Sequence, residues 1–298
     1  MPPVSGAELS IRYPMSPFLH TGSGCRPADR LTTVPTFGHS SGSSNQPDGA
    51  RVQVVTPDGF PPDLWRTVID QAPVLTVRDL APDHGGHLVV LGAHPDDETI
   101  GAGRLIAHWA RTIGPVTIVS MSAGEACLDH LGVRIPQLGQ IRRRELAAAG
   151  RTLGARRTLC CSIPDGKIDV GFSAVRRQFD RLVRVAAMVA VPWRFDPHPD
   201  HAALGAAAAR GCAQLPTPLL EYPIWSSFWQ RPSILQDTGY EVLRVATDQA
   251  DDDTRERALA GYRSQRQPLR ADLTPVLPAA MLAHHDQQFV LRPKNSRR

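Results

Sequence analysis

The 298-residue chain is 42% hydrophobic, enough for one sizeable α/β domain with extensions, and no apolar run approaches the ~18 residues that a membrane span needs. Its 33 lysines and arginines against 29 acidic residues leave a net charge of +4, spread as short pairs and one triplet at 142–144, and only 6% of residues are aromatic. Scattered charge with few stacking platforms argues against a nucleic-acid surface.

Residues 1–50 hold clusters such as "TGSG" and "SSGSSNQPDG" with no sustained apolar period, which predicts a poorly ordered N-terminal extension. A single domain is expected over 51–298. Within it, Val54, Leu64, Trp65, Val68 and Ile69 recur at mixed spacing and could supply a strand and a short helix. From residue 87 the pattern becomes regular. "HLVVLGA" (87–93) is a short β-branched run, and "TIGAGRLIAHWARTIG" (99–114) brings Leu105, Ile106, Trp109 and Ile113 back at helical spacing. "VTIVSM" (116–121) predicts the next strand, and a loop leads to a helix "QIRRRELAAAGRTLG" (140–154) that stops at Gly154.

"TLCCSI" (158–163) predicts a third strand ending at the turn "PDG". Cys160 and Cys161 there read as small core hydrophobes. With Cys25, Cys127 and Cys212 they form no CxxC pair and no even framework, so neither disulfides nor a structural zinc site is expected. A helix over about 172–186, a strand "MVAVPW" (188–193) and a small-residue helix "AALGAAAARGCAQL" (202–215) extend the alternation. Strands alternating with helices predict a Rossmann-like, mostly parallel sheet with helices on both faces, where ligands gather at the carboxyl ends of the strands.

Two clusters stand at such ends: "GAHPDDETIG" (92–101) after the first strand, and "DPHPDH" (196–201) after a later one. Either alone could be ordinary loop chemistry, with Asp96, Asp97 or Glu98 starting a helix. Together they suit a catalytic zinc site, which takes three nitrogen or oxygen ligands and keeps one position open. His94 and Asp97 are close enough in sequence to converge on one ion, and a histidine of "HPDH" can complete the set once the chain folds.

"AHPDDE" with a distant "HPDH" resembles the PIG-L/LmbE-like family of zinc-dependent N-deacetylases, supported by "SAGE" (122–125), "RRRELAAAGRTLG", "IPDG" (163–166) and "YRSQ" (262–265). The resemblance covers about residues 86–290 and implies an LmbE-like fold. It implies His94, Asp97 and His201 as ligands of one Zn2+, with another divalent ion as an alternative. Asp96 becomes the base toward the attacking water, His198 the group that stabilises the oxyanion, with an imidazolium as one form of it, and Asp200 the residue that orients a histidine.

Asp165 is by default a turn former but occupies a family position near the sugar. Arg143 and Arg144 read as solvated helix charge, with Arg144 taken as the one that reaches substrate. Tyr222, Trp225, Phe228 and Trp229 form core or interface by default, or an aromatic wall for a sugar ring, with Trp225 as the contact. His84, His87, His108 and His130 read as loop or surface residues, and His284 and His285 are assigned no metal. The expected activity is removal of an N-acetyl or related N-acyl group from an N-acetylglucosaminyl-type conjugate, a small-molecule partner. The rival readings are a metal-dependent phosphoesterase, which needs carboxylates for two metals, and a non-catalytic sugar-binding protein. With no signal peptide pattern, a cytoplasmic place is expected.

Overall fold

The computed structural model describes residues 59–80, 86–213, 215 and 217–294, so the extension expected over 1–50, Val54 and His84 lie outside the described residues. In chain order the elements are α1 (Asp63–Asp70), β1 (Val74–Leu75), α2 (Val77–Leu80), β2 (Leu88–Gly92), α3 (Asp97–Thr112), β3 (Val116–Ser120), α4 (Leu138–Thr152), β4 (Arg157–Cys160), α5 (Ile168–Arg184), β5 (Met188–Pro192) and α6 (Pro199–Cys212). Then follow β6 (Leu219–Tyr222), α7 (Ser226–Trp229), α8 (Ile234–Thr238), β7 (Tyr240–Val245), α9 (Gln249–Ala260), α10 (Arg263–Arg266), α11 (Ala279–Leu282) and β8 (Phe289–Pro293).

The strands form one eight-stranded sheet in the order β1-β7-β8-β6-β5-β2-β3-β4. Every neighbouring pair is parallel except those of β8, which runs antiparallel to both β6 and β7. The expected mostly parallel sheet is therefore present. The strands β2, β3 and β5 are buried along their whole length, as strands covered on both faces must be.

Alternation along the pleat divides their side chains between two cores. Leu88, Val90, Val116, Ile118, Met188 and Ala190 face the layer built from α3, α4 and α9. Val89, Leu91, Val119, Val189 and Val191 face α5 and α6. A third cluster joins Trp65 and Ile69 of α1 to Tyr240, Val242, Phe289 and Leu291 of β7 and β8. Trp65 and Ile69 are four residues apart, one helical turn, which is why this pair and not the exposed Leu64 anchors α1.

The connections fix where a ligand can sit. β2 has β3 on one side and β5 on the other, so the chain leaves β2 through α3 in one direction and later returns through α5 in the opposite one. Crossovers that diverge from adjacent strands leave a crevice at the strands' carboxyl ends. "HPDDE" follows β2 and "DPHPDH" follows β5, so both clusters open into that crevice. Close packing of α6 on the end of β5 depends on Gly205, where a Cβ would lie 2.5 Å from the Pro192 carbonyl oxygen and 2.7 Å from the Arg194 nitrogen.

Candidate metal centre

The loop after β2 turns sharply into α3, and the Asp97 carboxylate holds that turn. Its Oδ2 accepts from the Ala93 and His94 amides at 2.8 and 2.9 Å, which leaves Oδ1 for other work. Oδ1 lies 3.2 Å from His201 Nε2. His201 Nε2 in turn lies 3.3 Å from His94 Nδ1, and His94 Nδ1 stands 3.7 Å from Asp97 Oδ2. The residues expected as metal ligands, 107 positions apart at the extremes, thus meet face to face.

The partners behind each ring decide which nitrogen faces the centre. His94 Nε2 donates toward Asp165 Oδ1 at 3.0 Å and Asp200 Oδ2 at 3.3 Å. His201 Nδ1 donates to Asp196 Oδ1 at 3.1 Å. In the neutral tautomers the opposite nitrogens, His94 Nδ1 and His201 Nε2, carry lone pairs. In that form two lone pairs and a carboxylate oxygen point at one another, an arrangement relieved either by protons on the rings or by a metal cation among them.

Tetrahedral bonds of about 2.0–2.1 Å place ligand atoms about 3.3–3.4 Å apart, close to the 3.2 and 3.3 Å edges seen here. The donor set fits a divalent ion of zinc's kind. Potential ion-holding groups among the described residues include His94 with His198 and His201, and His94 with Asp165 and Asp200, the latter at Nε2 on the far side of the His94 ring. A third group, His108 with Asp248 and Asp251, is already bridged by Arg111, whose Nη2 donates to both aspartates at 2.6 and 3.0 Å.

The titrations register the same field. Burial opposes protonation of His201, yet the charges of Asp97 and Asp196 win and raise its pKa to about 9. Burial likewise opposes protonation of His94, but Asp165, Asp200 and Asp97 raise it well above the usual imidazole value. Burial and the neighbouring negative charge of Asp97 push the Asp96 carboxyl well above the usual carboxylate range. For Asp165, burial is outweighed by its bond to His94 and by the charge there, which bring the carboxyl down to about 2.

His198, expected to stabilise the oxyanion, lies against both metal-facing histidines. Burial, then the charges of His201 and His94, push it down to about 3, so the ring is neutral at pH 7. Its Nδ1 accepts from the Asp200 amide at 3.3 Å, which puts the proton on Nε2. The ring stacks on His201 with centroids 4.5 Å apart.

Asp96 has an unusual backbone, φ 123° and ψ −31°, in a region that non-glycine residues avoid, at a cost of about 1–3 kcal/mol. Asp200, expected to orient a histidine, has its Oδ2 3.3 Å from His94 Nε2, and the Gly166 and Ile168 amides at 2.8 and 3.2 Å fix its carboxylate in turn. Asp165 holds the same His94 nitrogen and accepts from the Ala126 amide at 2.9 Å, so it has a structural engagement that the expected sugar contact did not include.

The two expected substrate contacts, Arg144 and Trp225, stand in different settings. Arg144 is exposed on α4, whereas Arg142, two positions back and about 200° round the helix, is buried. Arg142 donates to the Gly124 carbonyl at 2.7 Å and to Cys127 Sγ at 3.3 Å, and its charge draws down Asp96 and Asp165. Gly124, at φ +65°, admits it: a Cβ there would meet Arg142 Nη1 at 2.3 Å. The Trp225 indole is only 9% exposed, stacked on Trp229 at 4.4 Å within the core, so the aromatic cluster is core and not a wall.

Sequence reading leaves Asp196 without a role, although it stands in the quoted "DPHPDH". Its Oδ2 accepts from the amides of Ile224, Trp225 and Ser226 at 3.0, 3.0 and 3.2 Å and from the Ser226 hydroxyl at 2.9 Å. Its Oδ1 accepts from the His198 amide at 3.0 Å as well as from His201. An aspartate two residues before a histidine and five before another is the available signal. Its other partners lie 28–30 residues on, beyond the reach of local spacing.

Comparison with known proteins agrees with this geometry. Residues 89–212 match the family model described as PIG-L, GlcNAc-PI de-N-acetylase. A curated relative from Salinispora arenicola, 1D-myo-inositol 2-acetamido-2-deoxy-alpha-D-glucopyranoside deacetylase, is 45% identical over 74 residues, covering 22% of this chain and 24% of that protein. A second, from Saccharopolyspora erythraea and of the same described activity, is 40% identical over 72 residues, covering 22% of this chain and 26% of the relative. The chain thus spans about a quarter of the length of the curated relatives it matches.

Among solved structures, the N,N'-diacetylchitobiose deacetylase of Pyrococcus horikoshii shares the fold with a TM-score of 0.52 at 18% identity, over 78% of this chain and 91% of that one. A deacetylase triple mutant of the teicoplanin biosynthetic pathway does so at 0.52 and 14% identity, over 71% and 100%. No helix among the described residues is long and apolar enough to cross a membrane. The segment that matches the PIG-L family model, residues 89–212, carries both halves of the centre.

Proposed function

We propose that the chain is a zinc-dependent N-deacetylase that hydrolyses the N-acetyl, or a related N-acyl, group of an amino-sugar conjugate, releasing the carboxylate and a free amine. The observation that carries the reading is the convergence of His94 Nδ1, His201 Nε2 and Asp97 Oδ1, three atoms able to ligate one ion once the imidazoles are neutral. These three residues would hold Zn2+, which when bound polarises the amide carbonyl and acidifies water toward a pKa of about 7. The PIG-L match supports the reaction class, and the described activities of the relatives support an N-acetylated sugar as substrate.

The chain's own residues then divide the proton work. Asp96 is buried beside Asp97 and, with its raised affinity for a proton, is the base that takes one from the attacking water and passes it to the amine nitrogen as the C–N bond breaks. His198 is neutral, and its Nε2–H is the donor toward the oxyanion that forms at the acyl oxygen. Asp165 and Asp200 keep the His94 ring turned so that Nδ1 faces the centre. Arg142, buried next to these carboxylates, stabilises Asp96 in its ionised form between turnovers.

The test is acetate release from a panel of N-acetylglucosaminyl conjugates by the zinc-loaded protein, with and without chelator. Release that the chelator abolishes and zinc restores, and an Asp96→Asn variant reduced at least about 100-fold, are expected. Zinc-loaded protein that releases nothing from any conjugate, or an Asp96→Asn variant with full turnover, would sink the reading.

A further inference from the structure

The "YRSQ" segment at 262–265 lies 170 positions from the loop after β2, yet its side chains reach into that loop. Gln265 Nε2 donates to the Pro95 carbonyl oxygen, and the Tyr262 hydroxyl donates to Glu98 Oε1. Glu98 Oε2 in turn accepts from the Asp96 amide at 3.2 Å. The peptide group between Pro95 and Asp96 is therefore gripped at both of its polar atoms: its carbonyl by Gln265, its N–H by a carboxylate that Tyr262 and the Thr99 hydroxyl hold in place. All the gripping groups are buried, with Tyr262 and Glu98 at 0% and Gln265 at 1% exposure.

That peptide plane sets φ of Asp96, the residue held at 123°. On the far side of the same residue, the Asp96 carbonyl accepts from the Thr99 and Ile100 amides, both at 2.9 Å, so α3 fixes the other peptide plane. The strained rotation is trapped between two immobilised planes. The segment itself is anchored elsewhere: the Ser264 amide donates to Glu145 of α4 at 2.8 Å, and the Gln265 carbonyl accepts from the Leu277 amide at 2.9 Å.

We infer that Tyr262 and Gln265 act as positioning residues for Asp96, a strap that keeps the Pro95–Asp96 peptide in the one orientation that aims the Asp96 carboxylate at the crevice. The inference rests on the reading of Asp96 as the base, but the strap's effect on the backbone can be observed without activity.

The experiment compares zinc-loaded wild type with Gln265→Met, which keeps the length and removes the donor, and with the milder Tyr262→Phe. Each variant is expected to lose about tenfold or more in kcat while KM and one zinc per chain are retained, since the substrate contacts and ligands are untouched. Crystal structures of the two variants should show Asp96 relaxed to negative φ. Val242→Ala, in the third core cluster, serves as a control for lost stability alone and should keep the wild-type kcat. Wild-type kcat in both strap variants, or Asp96 still at φ near 123° in both, would overturn the inference. If wild-type protein with zinc bound releases no acetate, the hydrolase reading fails while the variants' Asp96 φ still decides whether the strap exists.

Discussion

Replacing Asp196 by asparagine isolates the residue behind His201. Asparagine has the same shape but one acceptor oxygen in place of two. If that oxygen stays with the three amides and the Ser226 hydroxyl, its NH2 faces the His198 amide and His201 Nδ1, groups now 3.0 and 3.1 Å from the carboxylate. Donor meets donor, so the His201 proton is driven from Nδ1 to Nε2, the atom that should present a lone pair to the metal. The flipped amide is worse, since four donors would then meet an NH2.

Two charge-assisted buried bonds are lost, at about 1.5–3 kcal/mol each, giving a destabilisation of about 3–6 kcal/mol as an upper bound. Loss of an orienting carboxylate costs about 10–100-fold in metal affinity. Competition against a chromophoric chelator measures the affinity, and urea denaturation of the metal-free protein measures the stability. An Asp196→Asn variant that binds zinc within twofold of wild type would refute the claim that this carboxylate sets the His201 tautomer.

Three further outcomes are expected. His285 is buried, its Nε2 donates to the Ile224 carbonyl at 3.0 Å, and burial, with Arg255 nearby, pushes its pKa down to about 3 from 6.5. Below pH 6.5 the unfolded chain takes up a proton that the folded one refuses, so this contribution to stability is complete above that pH and falls as pH drops toward 3. Between pH 7 and 5, wild type should lose about 2 kcal/mol more than His285→Gln in paired denaturation curves. Gly205→Ala should cost about 1–3 kcal/mol by thermal denaturation and also weaken zinc binding, because the atoms in its way are backbone and α6 carries His201. Arg142→Met should lower kcat/KM by far more than Arg144→Met, which should match wild type in the acetate assay; equal effects would count against the assignment of the buried arginine.

The elements most legible in the sequence are those whose burial is symmetrical. β2, β3 and β5 are covered on both faces, so their apolar runs are continuous and short, and the helices between them carry an apolar stripe. The centre is legible for a related reason: ligands must be His, Asp or Glu, and loops after strands are where they can converge. Residues after 215 are harder to read. β6 is four residues long, and β7 mixes buried and half-buried positions without strict alternation. The single residues that are hardest to read share a cause. Arg142 and Arg144 differ only in which side of α4 they occupy, which depends on helix phase, and Trp225 looks like a ligand wall until its stacking on Trp229 is seen. The Asp196 and "YRSQ" contacts join segments whose pairing only tertiary structure defines.

The antiparallel β8 carries a consequence for assembly. Among the described residues, β7 and β1 join the rest of the sheet solely through it, and it completes the third core cluster with Phe289 and Leu291. During synthesis the parallel strands that frame the crevice, β2 through β6, are all made before this keystone arrives, so α1, β1 and β7 must wait for residues 289–293 to leave the ribosome before they can close. Non-local pairings of this kind are slow to form and leave strand edges exposed meanwhile. A nascent chain halted before residue 289 would therefore present an unfinished sheet edge at β6, beside the very helix that bears His198 and His201.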